Sequence, residues 1–411
     1  MRRNETCIDV VADVNFNSVI TIGSDISLIV TSSTSAVLDG ARSTRFFHVY
    51  GSLSIFGITL ANGWHSNSGG AVYVNTNAMF DATSCLFFGS SARECDWNGC
   101  DDDVGGAGGD DGEAVCEGHG FTETECGAVG CCWWDGIECW SGSSCGGAVY
   151  IGSGVTFGAT DCLFSANDAF SNGGAVYIGP DATFDATACG FWDNAGHIGG
   201  AVFIGSNGKY DETARILHQR GERGATFDAT NCDFFGNAAY GVGSRGGAVY
   251  VGKGSVFGAI ETDFPGNVAD YWVKDGLYSQ GGAVFVDFSA AFDATDCFFT
   301  ADTCRSGGGA VFVNKIIISD ATGCVFSKNI AGYGSRGGGV GGAVVVVGTF
   351  YATQVIFSGN SGNYGGAVFF LRGVVRHAQN KVRAQCCRLS GRRGLDEKRG
   401  LVHRKRKLFM A

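Results

Sequence analysis

Four aspartates recur at one position of a repeated segment, F-D-A-T-x-C-x-F. Their residue type and their regular spacing could support chemistry. They are Asp81, Asp185, Asp228 and Asp293. Strand alternation puts them on the face opposite the Phe and Ala of the motif, so that carboxylates would stack at strand spacing. Such a row repels itself unless water or a cation screens it. A solvated row is the favoured interpretation, and calcium binding is the weaker alternative.

Residues suited to acid–base catalysis are scattered along the chain. Enzymes that cleave or epimerise polysaccharides need Asp, Lys, Arg or His groups that converge on one cleft. Only His65, His197 and Lys253 lie near predicted bends in the repeats. We therefore expect a protein that is not an enzyme and needs no cofactor, with a polysaccharide lyase, hydrolase or epimerase as the least favoured alternative.

A row of aromatic residues is the more suggestive feature. One ring follows each Gly-Gly-Ala-Val segment, and an Ala lies two residues before it. If the neighbouring Val and Ile point inward, the rings and the Ala stripe face outward and form a platform for sugar rings or for another polypeptide. The alternative is that loops cover the rings, or that they only stabilise the sheet by stacking. The row comprises Tyr73, Tyr150, Tyr177, Phe203, Tyr250, Phe285, Phe312 and Phe369.

The Gly-Gly-Ala-Val segments recur from Gly69 to Gly365, with a basic period of about 26 residues. Apolar residues alternate within each segment, which predicts a short strand, and the buried parity changes inside F-D-A-T-x-C-x-F, which predicts a corner. Three short strands in each unit predict an all-β chain folded as a parallel β-helix of about ten coils. The 68 Gly and 2 Pro residues suit a chain that turns often without losing backbone donors.

Two other repeated positions have structural explanations. A cysteine position that becomes Thr262 or Val355 in other coils indicates a stack of small buried side chains, with a metal or disulfide ladder as the alternative. An Asn three residues after the last Phe of each unit indicates amides that hydrogen-bond along the stack. The cysteines are Cys85, Cys162, Cys189, Cys232, Cys297 and Cys324. The asparagines are Asn167, Asn194, Asn237, Asn267, Asn329 and Asn360.

The pairing of GGA(V/I) with F-x-x-N in one coil resembles the repeat of polymorphic outer membrane proteins. The second signature reads FSAN, FWDN, FFGN, FPGN, FSKN and FSGN, and the resemblance covers about residues 46–370. It implies a right-handed single-stranded β-helix of the pectin-lyase-like kind. It also implies an adhesin-like protein displayed at a cell surface or cell outer membrane.

A cysteine-rich insertion at 95–145 holds eight of the eighteen cysteines. This density predicts a small disulfide module whose pairing stays open. Its cysteines are Cys95, Cys100, Cys116, Cys126, Cys131, Cys132, Cys139 and Cys145. The run from Thr122 through Cys126, Cys131 and Cys132 to Asp135 resembles a trefoil (P-type) domain, which implies an extracellular module and, in some members, a glycan binder. The candidate ligand-binding residues are Trp133, Trp134 and Trp140, and the alternative is that they only fill a small core.

The expected organisation has five parts. We expect residues 1–45 to form N-terminal strands or a cap, 46–370 to form the coils, 95–145 and 207–223 to be insertions, and 371–411 to be a basic, disordered tail. Residues 372–411 hold 13 of the 29 Lys and Arg and 2 of the 40 Asp and Glu, which leaves 16 basic and 38 acidic residues before them. An acidic body disfavours nucleic acid as a partner.

Location and function follow from these features as expectations. The sequence contains no stretch of about 18 apolar residues, so it predicts no membrane-spanning helix. No signal peptide is visible, although the cysteine module favours an oxidising compartment. We therefore expect an incomplete N-terminus and an extracellular or cell-surface protein. Adhesion or cell-envelope structure is the favoured function, carbohydrate binding is the alternative, and glycans or surface proteins are the expected partners. The oligomeric state stays open.

Overall fold

The chain is a right-handed parallel β-helix. The structure is a computed structural model, and it describes residues 4–92, 132–134, 139–141, 145–205, 224–240, 243–270, 279–314, 319–332, 339–347, 349–370 and 374–377. Most coils pass in turn through sheets 1, 2, 3 and 4, and every pairing in these sheets is parallel and joins neighbouring coils. The described residues form no helix, and therefore no helix long and apolar enough to cross a membrane.

The four sheets contain 11, 12, 11 and 8 strands. Sheet 1 comprises Ile20–Ile22, Phe47–Val49, Val72–Val74, Val149–Ile151, Val176–Ile178, Val202–Ile204, Val249–Val251, Val284–Val286, Val311–Val313, Val344–Val346 and Val368–Phe370. Sheet 2 comprises Asn4–Asp9, Ile26–Thr31, Ser52–Phe56, Met79–Thr83, Thr156–Thr160, Thr183–Thr187, Thr226–Thr230, Val256–Ile260, Ala291–Thr295, Ser319–Thr322, Thr349–Thr353 and Val374–His377. Sheet 3 comprises Val14–Asn15, Val37–Asp39, Thr59–Ala61, Leu86–Phe88, Leu163–Ser165, Gly190–Trp192, Asp233–Phe235, Asp263–Pro265, Phe298–Thr300, Val325–Ser327 and Ile356–Ser358. Sheet 4 comprises Trp64–His65, Ser91–Ala92, Asp168–Ala169, Ala195–Gly196, Ala238–Ala239, Val268–Ala269, Thr303–Cys304 and Ile330–Ala331.

The predicted fold is confirmed, and the number of coils agrees with the predicted number of about ten. Sheets 1 and 3 each contain 11 strands. The N-terminal residues supply the additional strands, because Ile26–Thr31 pairs with Ser52–Phe56 in the same parallel register as the later coils. These coils do not contain the GGAV motif of the later coils.

The Gly-Gly pair of each coil forms a bend for two separate reasons. Gly173 has a φ of +66°, a conformation that favours glycine. A Cβ on Gly174 would overlap the carbonyl oxygen of Gly200 in the next coil. The amides of Ala175 and Val176 then both donate to the Ala201 carbonyl, at 2.9 and 3.0 Å, which is the pattern of a β-bulge.

This bulge corrects the predicted position of the Ala stripe. Because the ladder skips one residue, the side chains of Ala175 and Val176 are both buried in the core, although strict alternation would put them on opposite faces. The corresponding Ala residues of the other coils are buried in the same way, except that Ala367 is partly buried. The Ala stripe therefore does not flank the aromatic row on the outer surface.

The predicted corner inside F-D-A-T-x-C-x-F is confirmed. Ala188, between the Thr and the Cys of its coil, has a φ of +55° and reverses the parity of the buried side chains. Phe184 and Cys189 are therefore both buried although they lie five positions apart. The cysteines of this position form the predicted stack of buried, unbridged thiols. The Cys189 thiol donates to the Thr187 carbonyl at 3.3 Å.

Two columns of stacked Phe rings lie in the lumen, one from Phe80 to Phe292 and the other from Phe87 to Phe357. Within one column Phe157 and Phe184 stack with centroids 4.5 Å apart, and within the other Phe164 and Phe191 stack at 4.9 Å. Rings of the two columns meet edge to face, as Phe184 and Phe191 do at 6.3 Å. Aromatic pairs add about 0.5–1.5 kcal/mol beyond the area that they bury, so these columns are a main source of the stability of the rod.

Neighbouring residues of one strand provide a test of this core. Phe234 is fully buried in a column, while Phe235 is 49 % exposed on the outer face of sheet 3. We expect Phe234→Ala to lower the free energy of unfolding by about 3–5 kcal/mol, because it leaves a cavity in the column. Phe235→Ala is the matched control and should change stability by only about 0.5 kcal/mol. Urea unfolding followed by circular dichroism measures both, and equal losses would contradict the assigned orientation.

Candidate functional site

The aromatic row lies outside the lumen, as the sequence predicts. Val176 and Ile178 are buried in the core, and Tyr177 between them is half-buried on the outer side of sheet 1. The rings are in register from coil to coil. The row runs in the order His48, Tyr73, Tyr150, Tyr177, Phe203, Tyr250, Phe285, Phe312, Val345 and Phe369.

The row is not open to solvent along its whole length, which corrects the expected outward ladder. Tyr250, Phe285 and Phe312 are buried, at 6, 0 and 5 % exposure. Ile198 and Val340 pack against these rings. Burial of the C-terminal half of the row therefore favours a structural role for this half.

Stacking also covers the ring faces in the N-terminal half. Tyr73 and Tyr150 stack at 4.6 Å, and Tyr150 and Tyr177 stack at 5.0 Å with their planes nearly parallel. Burial raises the pKa of Tyr150 and Tyr177, so both phenols are neutral at physiological pH. Carbohydrate binding by this row stays a prediction that concerns the ring edges and hydroxyls of Tyr73, Tyr150 and Tyr177.

A buried arginine lies beside the N-terminal end of the row. Arg45 is 4 % exposed, its guanidinium lies 5.0 Å from the centroid of the Tyr73 ring, and it donates to the Ser68 carbonyl at 2.7 Å. Burial lowers the pKa of Arg45 to about 10. Burial and the charge of Arg45 also lower the pKa of His65, to about 4, so His65 is neutral at physiological pH.

The repeated aspartates are exposed on the outer face of sheet 2, as predicted. Asp185 and Asp228 are direct neighbours in register. Partial burial and then the charge of Asp185 raise the pKa of Asp228, and partial burial alone raises that of Asp81. No group of three or more His, Cys, Asp or Glu within the described residues is arranged to hold a metal ion. Calcium binding by this row therefore stays a hypothesis without a geometric site.

The three residues considered for acid–base catalysis are not brought together. His65 lies in the strand Trp64–His65 of sheet 4, and His197 follows a strand of sheet 4 three coils further along the rod. Lys253 follows a strand of sheet 1, on another side of the coil. At about 4.8 Å per coil, the two histidines are too far apart to act on one bond.

Most of the cysteine-rich insertion lies outside the described residues, as does the insertion at 207–223. An antiparallel hairpin pairs Cys132–Trp134 with Cys139–Ser141, so Trp133 is opposite Trp140 and Trp134 is opposite Cys139. Cys145 is buried at the start of the next coil, where the Asn172 amide contacts its sulfur at 3.7 Å. The predicted disulfides and the trefoil resemblance stay predictions. The candidate disulfide cysteines that lie outside the described residues are Cys95, Cys100, Cys116, Cys126 and Cys131.

The predicted asparagine ladder is present, and its members are fully buried except for Asn360, which is partly buried. The side-chain amide of Asn194 donates to the side-chain oxygen of Asn237 at 3.1 Å and to the Phe164 carbonyl at 2.9 Å. The backbone amide of Asn194 donates to the same Asn237 oxygen at 3.1 Å. Each asparagine thus bonds the coil on either side of it and satisfies backbone groups that the bend would leave unpaired.

Asp302 occupies the asparagine position in one coil, a feature that sequence reasoning missed. Its Oδ1 accepts from the backbone and side-chain amides of Asn267, at 2.8 and 3.1 Å. Its Oδ2 has no partner within the described residues. In the other coils this position carries an NH₂ group that donates to oxygen acceptors, so Oδ2 also faces acceptors. Complete burial raises the pKa of Asp302 well above its usual range, and the side chain is held as a neutral acid.

Asp302 should make the stability of the rod depend on pH. The pKa of Asp302 is higher in the folded chain than in the unfolded chain. Its contribution to the free energy of unfolding is therefore fully present below the unfolded-state pKa of about 3.9. This contribution is lost as the pH rises through the pKa of the folded state. We expect Asp302→Asn to restore the amide donor and to stabilise the fold at neutral pH by about 1–3 kcal/mol. Urea unfolding across the acid-to-neutral range measures this difference.

The converse variant provides the control for Asp302. Asn237→Asp puts an acid into a coil that has the amide donor, so it should destabilise the rod at neutral pH and much less in acid. Unchanged stability in both variants at neutral pH would show that Asp302 is not held as a neutral acid.

A second aromatic surface on sheet 3 was not predicted. The side chains of Trp192, Phe235 and Phe298 are 40, 49 and 50 % exposed, and the carboxyl groups of Asp233 and Asp263 lie between them in register. We call Trp192, Phe235, Phe298, Asp233 and Asp263 the Trp192 surface. The sequence contains a signal for this surface in the residue that follows each buried Phe of the second signature. In GFW, DFF and DFP the central Phe is buried, so strand alternation places the residues on either side of it outward.

Comparison of the chain with protein-family models, with curated proteins and with solved structures gives no match. The class of the protein is therefore defined by its fold, which is a parallel β-helix with a filled core.

Proposed function

We propose that this chain is a non-enzymatic surface-exposed or secreted rod that acts in adhesion or in the structure of a cell envelope. One observation carries the proposal. The lumen of the described coils is filled by one continuous apolar cluster, and the outer face of sheet 2 repeats Thr and Asp or Gly at strand spacing. A long surface of this kind suits binding and spacing rather than a reaction at one point.

The distribution of polar groups supports a non-enzymatic role. Catalysis needs groups of different character within hydrogen-bonding reach of one reacting atom. The candidate acids and bases in the described coils instead lie on separate sheets or recur as like residues in register. Membership of the polymorphic outer membrane protein type and a trefoil-like insertion are parts of the same proposal. They are supported by the GGA(V/I) and F-x-x-N signatures and by the cysteine spacing.

The location can be tested directly. Antibodies raised against the purified chain should label intact cells of the source organism, or should detect the chain in the medium. Beads coated with the chain should attach to these cells, and an excess of soluble chain should reduce the attachment. Labelling only after permeabilisation, together with no attachment, would contradict the proposed function.

Carbohydrate binding by the aromatic row is the second candidate function, and the half-exposed edges of Tyr73, Tyr150 and Tyr177 favour it. Replacing these three residues with Phe keeps the stacked rings and removes only the hydroxyl groups. This candidate predicts that retardation of the chain in gels containing algal or plant polysaccharides falls by about tenfold in affinity, as expected for the loss of one or two hydrogen bonds. Tyr250→Phe, in the buried half, is the control, and retardation that survives the triple change would eliminate the candidate.

A further inference from the structure

In the Trp192 surface, the indole of Trp192 lies against a glycine, Gly190, of the same strand. A Cβ on Gly190 would lie 3.0 Å from Nε1 and 3.1 Å from Cε2 of Trp192, so the five-membered ring lies directly over Gly190. The corresponding residues of the neighbouring coils are Leu163 and Asp233. The glycine and the tryptophan therefore occur in the same coil, which indicates that this coil is specialised to hold an indole against the sheet.

Neither acidic residue beside the indole forms an ion pair within the described part of the chain. In sheet 3, Gly190 pairs with Asp233 and Asp233 pairs with Asp263. Partial burial and then the charge of Asp263 raise the pKa of Asp233, while a hydrogen bond from Trp192 has the opposite effect. Oδ1 of Asp233 is buried and has no hydrogen-bond partner within the described residues. The surface thus offers an aromatic face beside two carboxyl groups.

We propose that the Trp192 surface docks a basic segment of a partner polypeptide, with an arginine guanidinium over the indole and bonded to the Asp233 and Asp263 carboxylates. The proposal goes beyond the proposed function by naming the chemistry of a partner. It does not depend on where in or outside the cell the chain acts.

Charge complementarity selects a cation as the occupant. The first 371 residues hold 38 acidic and 16 basic residues, and the register neighbours of the surface include no Lys or Arg. These neighbours are Ser165, Gly190 and Val325. A cation over an aromatic face and beside carboxylates gains from both interactions. Arginine fits better than lysine, because its planar guanidinium stacks on an indole and donates five hydrogen bonds.

The sheet geometry determines how such a segment would bind. The strand Gly190–Trp192 is paired on both sides, with Leu163–Ser165 and with Asp233–Phe235. A partner cannot add a strand here, so side chains alone must make the contact. Trp192 and Phe298 are three coils apart, or about 14 Å, which is the reach of about four extended residues.

The test measures binding of fluorescein-labelled octapeptides to the full chain by fluorescence anisotropy. An Arg-Gly repeat, a Lys-Gly repeat and a Glu-Gly repeat are compared at low and at physiological salt. We expect the Arg-Gly peptide to bind best and the Glu-Gly peptide not to bind. Trp192→Ala should weaken Arg-Gly binding by about fivefold or more, as expected for the loss of a cation–π contact.

Further variants separate the parts of the surface. The double change Asp233→Asn and Asp263→Asn keeps the shape and removes the charge, and it should weaken binding by about tenfold or more. Gly190→Ala should also weaken binding, because the methyl group displaces the indole. Phe88→Ala is the matched control, since Phe88 is 45 % exposed on the same sheet but has Ala61 and Ser165 beside it.

Three outcomes would overturn the proposal. Equal Arg-Gly binding by the wild-type chain, Trp192→Ala and Phe88→Ala would show general attraction to an acidic protein. Equal binding of the Arg-Gly and Glu-Gly peptides would exclude recognition of a cation. Self-association of the full chain that Trp192→Ala abolishes would assign the surface to a second copy. None of these results bears on whether the chain is displayed at a cell surface, so the two proposals fail independently.

Discussion

The structure depends on stacking of like side chains at the spacing of a parallel β-sheet. Most coils place a Phe, a small residue and an Asn directly over the same residue types of the coil before them. Parallel strands can do this because their side chains stay in register from one coil to the next. Stacked rings then fill the lumen, and stacked amides bind the bends together. Each coil is stable only against its neighbours, which explains why the sequence repeats so closely.

Glycines and residues with positive φ allow each coil to turn while its strands stay in register with the neighbouring coils. The corners of the repeat need positive φ, and Gly173 and Ala188 adopt it at two different bends of one coil. The second glycine of the pair has a separate cause, since the backbone of the next coil leaves no room for a Cβ at Gly174. The same close approach produces the bulge that turns Ala175 into the core. The bend is therefore a packing element as well as a connection.

Differences between the copies are more informative about function than the repeat itself. Residues that recur in every coil are explained by the stack, whether they are buried like Phe184 or half-buried like Tyr177. Asp302, Arg45 and the pair of Gly190 and Trp192 each depart from the repeat. Asp302 and Arg45 are both buried at a cost that the regular residue would avoid. Trp192 is exposed, and the copy that carries it also lost the side chain at Gly190.

The sequence by itself determined the parallel β-helix, the inward direction of Val176 and Ile178, the corner before Cys189 and the asparagine ladder. These features follow from period and parity, which are local properties of the chain. Tertiary structure decided which outward residues reach solvent. The burial of Phe285 depends on residues such as Ile198 and Val340 that pack against its row from other segments, and the exposure of Trp192 depends on its neighbours in two other coils. Alternation assigns a side chain to a face, but only the packing of neighbouring coils determines what covers that face.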